Sequence, residues 1–174
     1  MQCISILQLP AFKGLISLLF LLAFCACDTH TTYRSSVPSY PVNIRINTYE
    51  GTYVHFVPEN SYTYMIVDKD GYHFKGQTMP RKETDRFGYA GVVVYIDGFG
   101  TYSAYDMACP YCVNQDEPVV EEPVEVDGMF ATCPICGEAY DLGSGYATPK
   151  KGISNEALRR YDLIVSNGVI TIRN

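Results

Sequence analysis

An all-β fold is what this 174-residue chain predicts, and three features carry the expectation. Short segments rich in β-branched and aromatic residues recur between turn residues, as strands do. The run Val92-Val93-Val94-Tyr95-Ile96 is continuously apolar and β-branched, which suits a central strand buried on both faces. Tyrosine occurs 15 times, a usage that suits half-buried strand faces better than helices.

In order, strands are expected at residues 42–47, 52–57, 62–67 and 72–75, separated by Glu50-Gly51, Pro58-Glu59-Asn60 and Asp68-Lys69-Asp70-Gly71. Residues 77–86 are polar and contain Pro80, so they read as a loop. The buried strand at 91–96 follows, and Asp97-Gly98-Phe99-Gly100 turns the chain into a partner strand at 101–105. Residues 114–127 carry six acidic side chains and two prolines, yet valines at 119, 120, 124 and 126 allow a short strand there. Residues 129–132 lead into a second loop, and 138–142 leave it. Ser154 can cap one helical turn over residues 154–160. Ser166-Asn167-Gly168 joins residues 162–165 to 169–172 in a closing hairpin.

Hydrophobic residues at 47% and charged ones at 18% give enough apolar surface for one main core. The net charge of -6 has no basic cluster behind it, since Arg81-Lys82, Lys150-Lys151 and Arg159-Arg160 are the adjacent basic pairs. A nucleic-acid partner is therefore not expected.

The first residues differ in kind. Residues 14–26 form an uncharged, largely apolar run, too short to span a membrane and matched to the hydrophobic region of a secretory signal. It ends in Phe24-Cys25-Ala26-Cys27, and a small residue directly before a cysteine there resembles the lipobox of bacterial lipoproteins. That resemblance implies a signal peptide over residues 1–26 and lipidation of Cys27, which would tether the protein to a membrane in the cell envelope, facing the periplasm or the cell surface. Residues 27–41 are polar and read as a tether, leaving 42–174 as a single domain.

The remaining cysteines form two knuckles, Cys109-Pro110-Tyr111-Cys112 and Cys133-Pro134-Ile135-Cys136-Gly137, separated by 20 residues. Four thiolates at this spacing make a cage for Zn2+, one iron or a two-iron cluster. Proline pre-sets each turn, and Gly137 permits the positive φ that tight knuckles need. Two disulfides are the competing expectation, because an exported chain meets an oxidising compartment. A bridge between cysteines two residues apart closes only a small loop and stabilises little.

From about residue 88 onward the chain also resembles the Rieske family. The residues that carry the likeness are the strand-rich 91–105 ahead of Cys109, then Cys133-Pro134-Ile135-Cys136-Gly137, Tyr140-Asp141-Leu142, Gly145, Pro149 and Gly152. The resemblance implies a Rieske-like β-sandwich or barrel with a small two-knuckle metal-binding subdomain, built of loops 109–112 and 133–137. It departs where that family's two histidines stand. The first would fall on Tyr111, one place before Cys112, and the second falls on Cys136, so an all-cysteine shell of Cys109, Cys112, Cys133 and Cys136 replaces Cys2His2.

A [2Fe-2S] cluster in that shell would transfer one electron to a redox partner protein docking over Tyr111 and Ile135. Zn2+ would pin the loops without redox chemistry. Function would then lie elsewhere, in binding through the aromatic strands of residues 42–75. The acidic linker lacks the alternating carboxylates and central glycine of a calcium loop. Ser103, Ser144 and Ser154 have no histidine partner in a recognisable motif, and no catalytic residues are evident.

Overall fold

The computed structural model describes residues 34–115 and 122–174. The expected signal peptide, Cys27 and the first part of the expected tether lie outside these residues, as do Val119 and Val120.

Thirteen strands build the described residues into three antiparallel sheets, with helix confined to single turns. The fold is all-β, as the sequence predicts. The first sheet contains β1 (Val42–Asn47), β5 (Arg86–Phe87), β12 (Asp162–Ser166) and β13 (Val169–Arg173), in the order β12-β13-β1-β5. The second runs β4 (Gln77–Met79), β3 (Tyr72–Phe74), β2 (Thr63–Val67), β6 (Val92–Ile96) and β7 (Tyr102–Asp106). A small third sheet runs β11 (Thr148–Pro149), β10 (Ala139–Asp141), β9 (Phe130–Thr132) and β8 (Glu125–Asp127).

The alternation of side chains along each strand explains the layering. Ile44 and Ile46 of β1 and Ile170 and Ile172 of β13 pack against Met65, Val67, Val92, Val94 and Ile96 of the second sheet. The opposite face of that sheet presents Val93, Tyr95 and Tyr105 to Ala131 and Tyr140 of the third sheet and to the cysteines. Each of the five residues of β6 is therefore buried, because its two faces serve two cores. That double burial is what the unbroken apolar run in the sequence reflects.

Four expectations are corrected. Residues 52–57 do not form a strand; Gly51–His55 coil into a 3-10 turn whose end packs Phe56 between Phe74 and Tyr102. The polar stretch at 77–86 is not all loop, because Gln77–Met79 hairpins back onto β3 and Arg86–Phe87 pairs with β1. Residues 154–160 form no helical turn: the Ser154 hydroxyl does accept the Glu156 amide at 3.0 Å, but the chain then runs extended so that Tyr105 bridges Arg160. The tether is docked where it is described. Val37 is fully buried, Ser36 donates to Glu156 and to the Pro110 carbonyl, and Arg159 Nε donates to the Val37 carbonyl at 2.7 Å.

Candidate metal centre

Each knuckle is delivered by a strand ladder. The first follows β7, whose last residue, Asp106, is a fully buried carboxylate. It accepts the amides of Tyr89, Ala90 and Ala108 and the Tyr161 hydroxyl at 2.6 Å, which fixes the three residues leading to Cys109. Burial raises the Asp106 pKa, while these donors counter it by favouring the ionised form. The knuckle itself is one helical turn, α1 (Pro110–Val113), with the proline at its start, where a missing N–H costs nothing.

The second knuckle is the turn between β9 and β10. Cys133 N–H donates to the Glu138 carbonyl at 2.8 Å and Gly137 N–H to the Cys133 carbonyl at 2.9 Å. Gly137 has φ +73°, as the sequence predicts, and a Cβ there would meet nothing closer than Lys151 Nζ at 3.9 Å. Glycine is required at that position for its backbone conformation and not for lack of space.

These two turns bring Cys109, Cys112, Cys133 and Cys136 together, with all four Sγ atoms within 4.8 Å of one another. The close pairs run between the knuckles: Cys109 to Cys136 at 3.7 Å and Cys112 to Cys133 at 3.6 Å. No bond joins them, so the four are free thiols. One tetrahedral metal with sulfur at about 2.3 Å sets its ligands ~3.8 Å apart, close to these two separations.

The groups around the cage act on its thiols in opposite directions. Burial raises the Cys133 pKa, but the amides of Cys136 and Ile135 and the neighbouring thiols outweigh it and bring the group below its usual 9.0. Cys112 is pushed well up by burial and its bond to Cys133, and Cys136 to about 11, chiefly by burial. The Glu138 amide donates to Cys136 Sγ at 3.5 Å, and the buried Tyr140 hydroxyl lies 3.2 Å from Cys109 Sγ. Such donors would lower the charge that clustered thiolates place on a bound metal. Three of the four cysteines are buried, and Cys136 is part-exposed.

Sequence reasoning placed the four cysteines but assigned no role to Glu138, Tyr140 or Asp106. A carboxylate directly after the knuckle glycine was a readable signal, since a charge in a turn that returns to the core needs partners. His73 lies elsewhere: its Nε2 contacts Asp68 at 2.9 Å and its Nδ1 contacts Thr78 at 3.1 Å on the β3–β4 hairpin.

No family model matches the chain, and no curated protein sequence matches it. Among solved structures, a chain in a complex of reduced oxygenase and oxidized ferredoxin in carbazole 1,9a-dioxygenase is similar, at 16% identity and a TM-score of 0.40 over 67% of this chain and 95% of that one. A ferredoxin of Sphingomonas yanoikuyae B1 is similar at 17% identity and a TM-score of 0.33, over 54% and 80% of the two chains. The ferredoxin of carbazole 1,9a-dioxygenase from Nocardioides aromaticivorans IC177 is similar at 14% identity and 0.37, over 75% and 96%. All three likenesses are remote.

Proposed function

We propose that this chain is an exported bacterial lipoprotein whose Rieske-like domain is held closed by one zinc ion on Cys109, Cys112, Cys133 and Cys136. The observation that carries the metal reading is the mutual approach of all four Sγ atoms to within 4.8 Å, at the tips of two turns from distant parts of the chain. Four sulfurs gathered at this range repel one another when ionised, and a bound cation offsets that repulsion. Zinc bound there ties α1 to the β9–β10 turn. Lipidation at Cys27 would hold the domain at a membrane of the cell envelope.

With the metal as a clip, binding falls to the rest of the surface. A groove of about 390 Å³ lined by Tyr62, Tyr64, His73 and Lys75 lies on the aromatic strands that the sequence marks for this role. A second reading, iron in the same cage with one-electron transfer to a protein docking over Tyr111 and Ile135, is favoured by the Rieske-like run from Cys133 to Leu142. Ile135 is 45% exposed at the tip of its knuckle, as such docking requires.

Metal analysis with a visible spectrum on anaerobically purified protein separates the readings. One zinc per chain and no colour is the expected result. Iron with charge-transfer bands, and acid-labile sulfide for a two-iron cluster, would replace the clip by an electron carrier. Metal-free protein with four oxidised thiols would overturn both.

A further inference from the structure

Glu138 is fully buried, and no salt bridge neutralises it among the described residues. Its carboxylate is instead wrapped by backbone N–H groups. Oε1 accepts from Ala139 at 3.2 Å and Lys151 at 2.9 Å, and Oε2 accepts from Ile153 at 2.9 Å and Ser154 at 3.1 Å. Four amide donors on one carboxylate fill its acceptor sites without a cationic partner. Three of them belong to residues 151–154, an exposed stretch with no strand or helix of its own. The same residue also reaches the cage: its amide donates to Cys136 Sγ, and its carbonyl accepts from Cys133 N–H.

One side chain thus fastens an otherwise loose strap beside the one part-exposed cysteine. Lys151 Nζ sits 3.9 Å from where a Cβ of Gly137 would stand, so the strap lies along the second knuckle. Metal exchange has to begin at an exposed ligand, because a chelator or water must reach the ion as a sulfur leaves.

We propose that Glu138 is the positioning residue that latches residues 151–154 over the Cys136 side of the cage, and that this latch sets the rate at which the bound metal exchanges with solvent. The inference rests on the zinc reading for its metal-exchange half only. Its other half, the latch, needs no metal. In Glu138→Gln one oxygen keeps two of the four donors, while the new NH2 faces the other two N–H groups and releases them.

The test uses the full chain in detergent, as wild type, Glu138→Gln and Asp85→Asn. Asp85 is a buried carboxylate remote from the cysteines, held by the Tyr72 hydroxyl and the Lys82 amide, so its variant controls for general destabilisation. Trypsin cleavage after Lys150 and Lys151 reads the strap, and zinc transfer to a chromogenic chelator reads the cage. Glu138→Gln is expected to be cut faster and to release zinc ~10-fold to ~100-fold faster, the range seen when a metal ligand loses an outer partner. Asp85→Asn should match wild type in both. Unchanged cleavage in Glu138→Gln overturns the latch. Faster cleavage with unchanged zinc release overturns its control of exchange and leaves the metal site standing. Wild-type protein with no zinc overturns the metal reading and, with it, the exchange half, while the cleavage arm still decides the latch.

Discussion

The Tyr140 hydroxyl lies 3.2 Å from the Sγ of Cys109, and both groups are buried. Burial and the neighbouring thiol raise the Tyr140 pKa beyond the usual tyrosine range, so the phenol stays protonated and donates to the sulfur. Bonds from a neutral donor to a charged acceptor are worth about 1.5–3 kcal/mol. Tyr140→Phe keeps the ring in the core and removes the donor, so metal affinity should fall roughly ten- to a hundredfold with the fold intact. Competition with a chelator of known affinity reads this, and wild-type affinity in the variant would exclude the hydroxyl as a ligand donor.

Cys133 is the cage member whose pKa is lowered, by two backbone amides that its own turn supplies. Cys133→Ala leaves three sulfurs and two unrequited N–H groups. Stoichiometric metal binding should be lost. The domain should lose about 3 kcal/mol or more, on the order of 10 °C in melting temperature, because metal binding here contributes directly to folding. Unchanged metal content and melting in that variant would remove the four-cysteine site.

The parts of the fold legible in the sequence were those where one local rule acts alone. Val92 to Ile96 read as a doubly buried strand because every side chain there is apolar, and the closing hairpin read clearly because Asn167-Gly168 supplies two consecutive positive φ values. The cysteine cage was legible from spacing, since two tight turns can present their sulfurs in few ways. Gln77–Met79 was not legible: the strand is exposed at an edge, so it carries no apolar alternation. Residues 51–55 misled for the opposite reason. Tyr53 and Val54 have strand propensity, but the chain turns there to bring Phe56 into the core. Glu138 was legible only as a carboxylate after the knuckle glycine that needs partners; which partners was not, because its four donors are backbone groups that composition does not record.

Asp106 makes the equivalent bridge on the first-knuckle side. It gathers three amides and the Tyr161 hydroxyl at 2.6–3.2 Å, linking β7 to the turn before β6 and to the segment before β12. Asp106→Asn turns an acceptor into a donor that faces other donors. A loss of about 2–4 kcal/mol is expected. Denaturant unfolding of the variant measures it, and a change below about 0.5 kcal/mol would show that the network carries no net stability.

At the N-terminus, Ala26 before Cys27 fits lipoprotein processing and Phe24 before Cys25 does not. In a bacterial host, Cys27→Ser should abolish incorporation of labelled fatty acid and leave the protein out of the membrane fraction. Cys25→Ser should change neither. Labelling that survives in Cys27→Ser would place the anchor elsewhere or remove it.

In the metal-free domain the thiols make stability depend on alkaline pH, and the direction follows from which state binds more protons. Cys136 keeps its proton up to about 11 in the fold but ionises near 9.0 when unfolded. Between those values the unfolded chain has fewer protons than the native one, so stability falls as pH rises through that window. Cys112 is raised by burial and acts in the same sense, whereas Cys133 is lowered and contributes stability that is lost as pH falls through its folded value. Two raised groups against one lowered group predict that chelated protein weakens from about pH 9 upward. Metal removes this dependence, because thiolates bound to a cation no longer compete for protons, and it creates an acid-side one instead. Melting curves of zinc-loaded and chelated protein between pH 5 and about 11 should therefore diverge most at the alkaline end, and parallel curves there would mean that no metal sits on these four sulfurs.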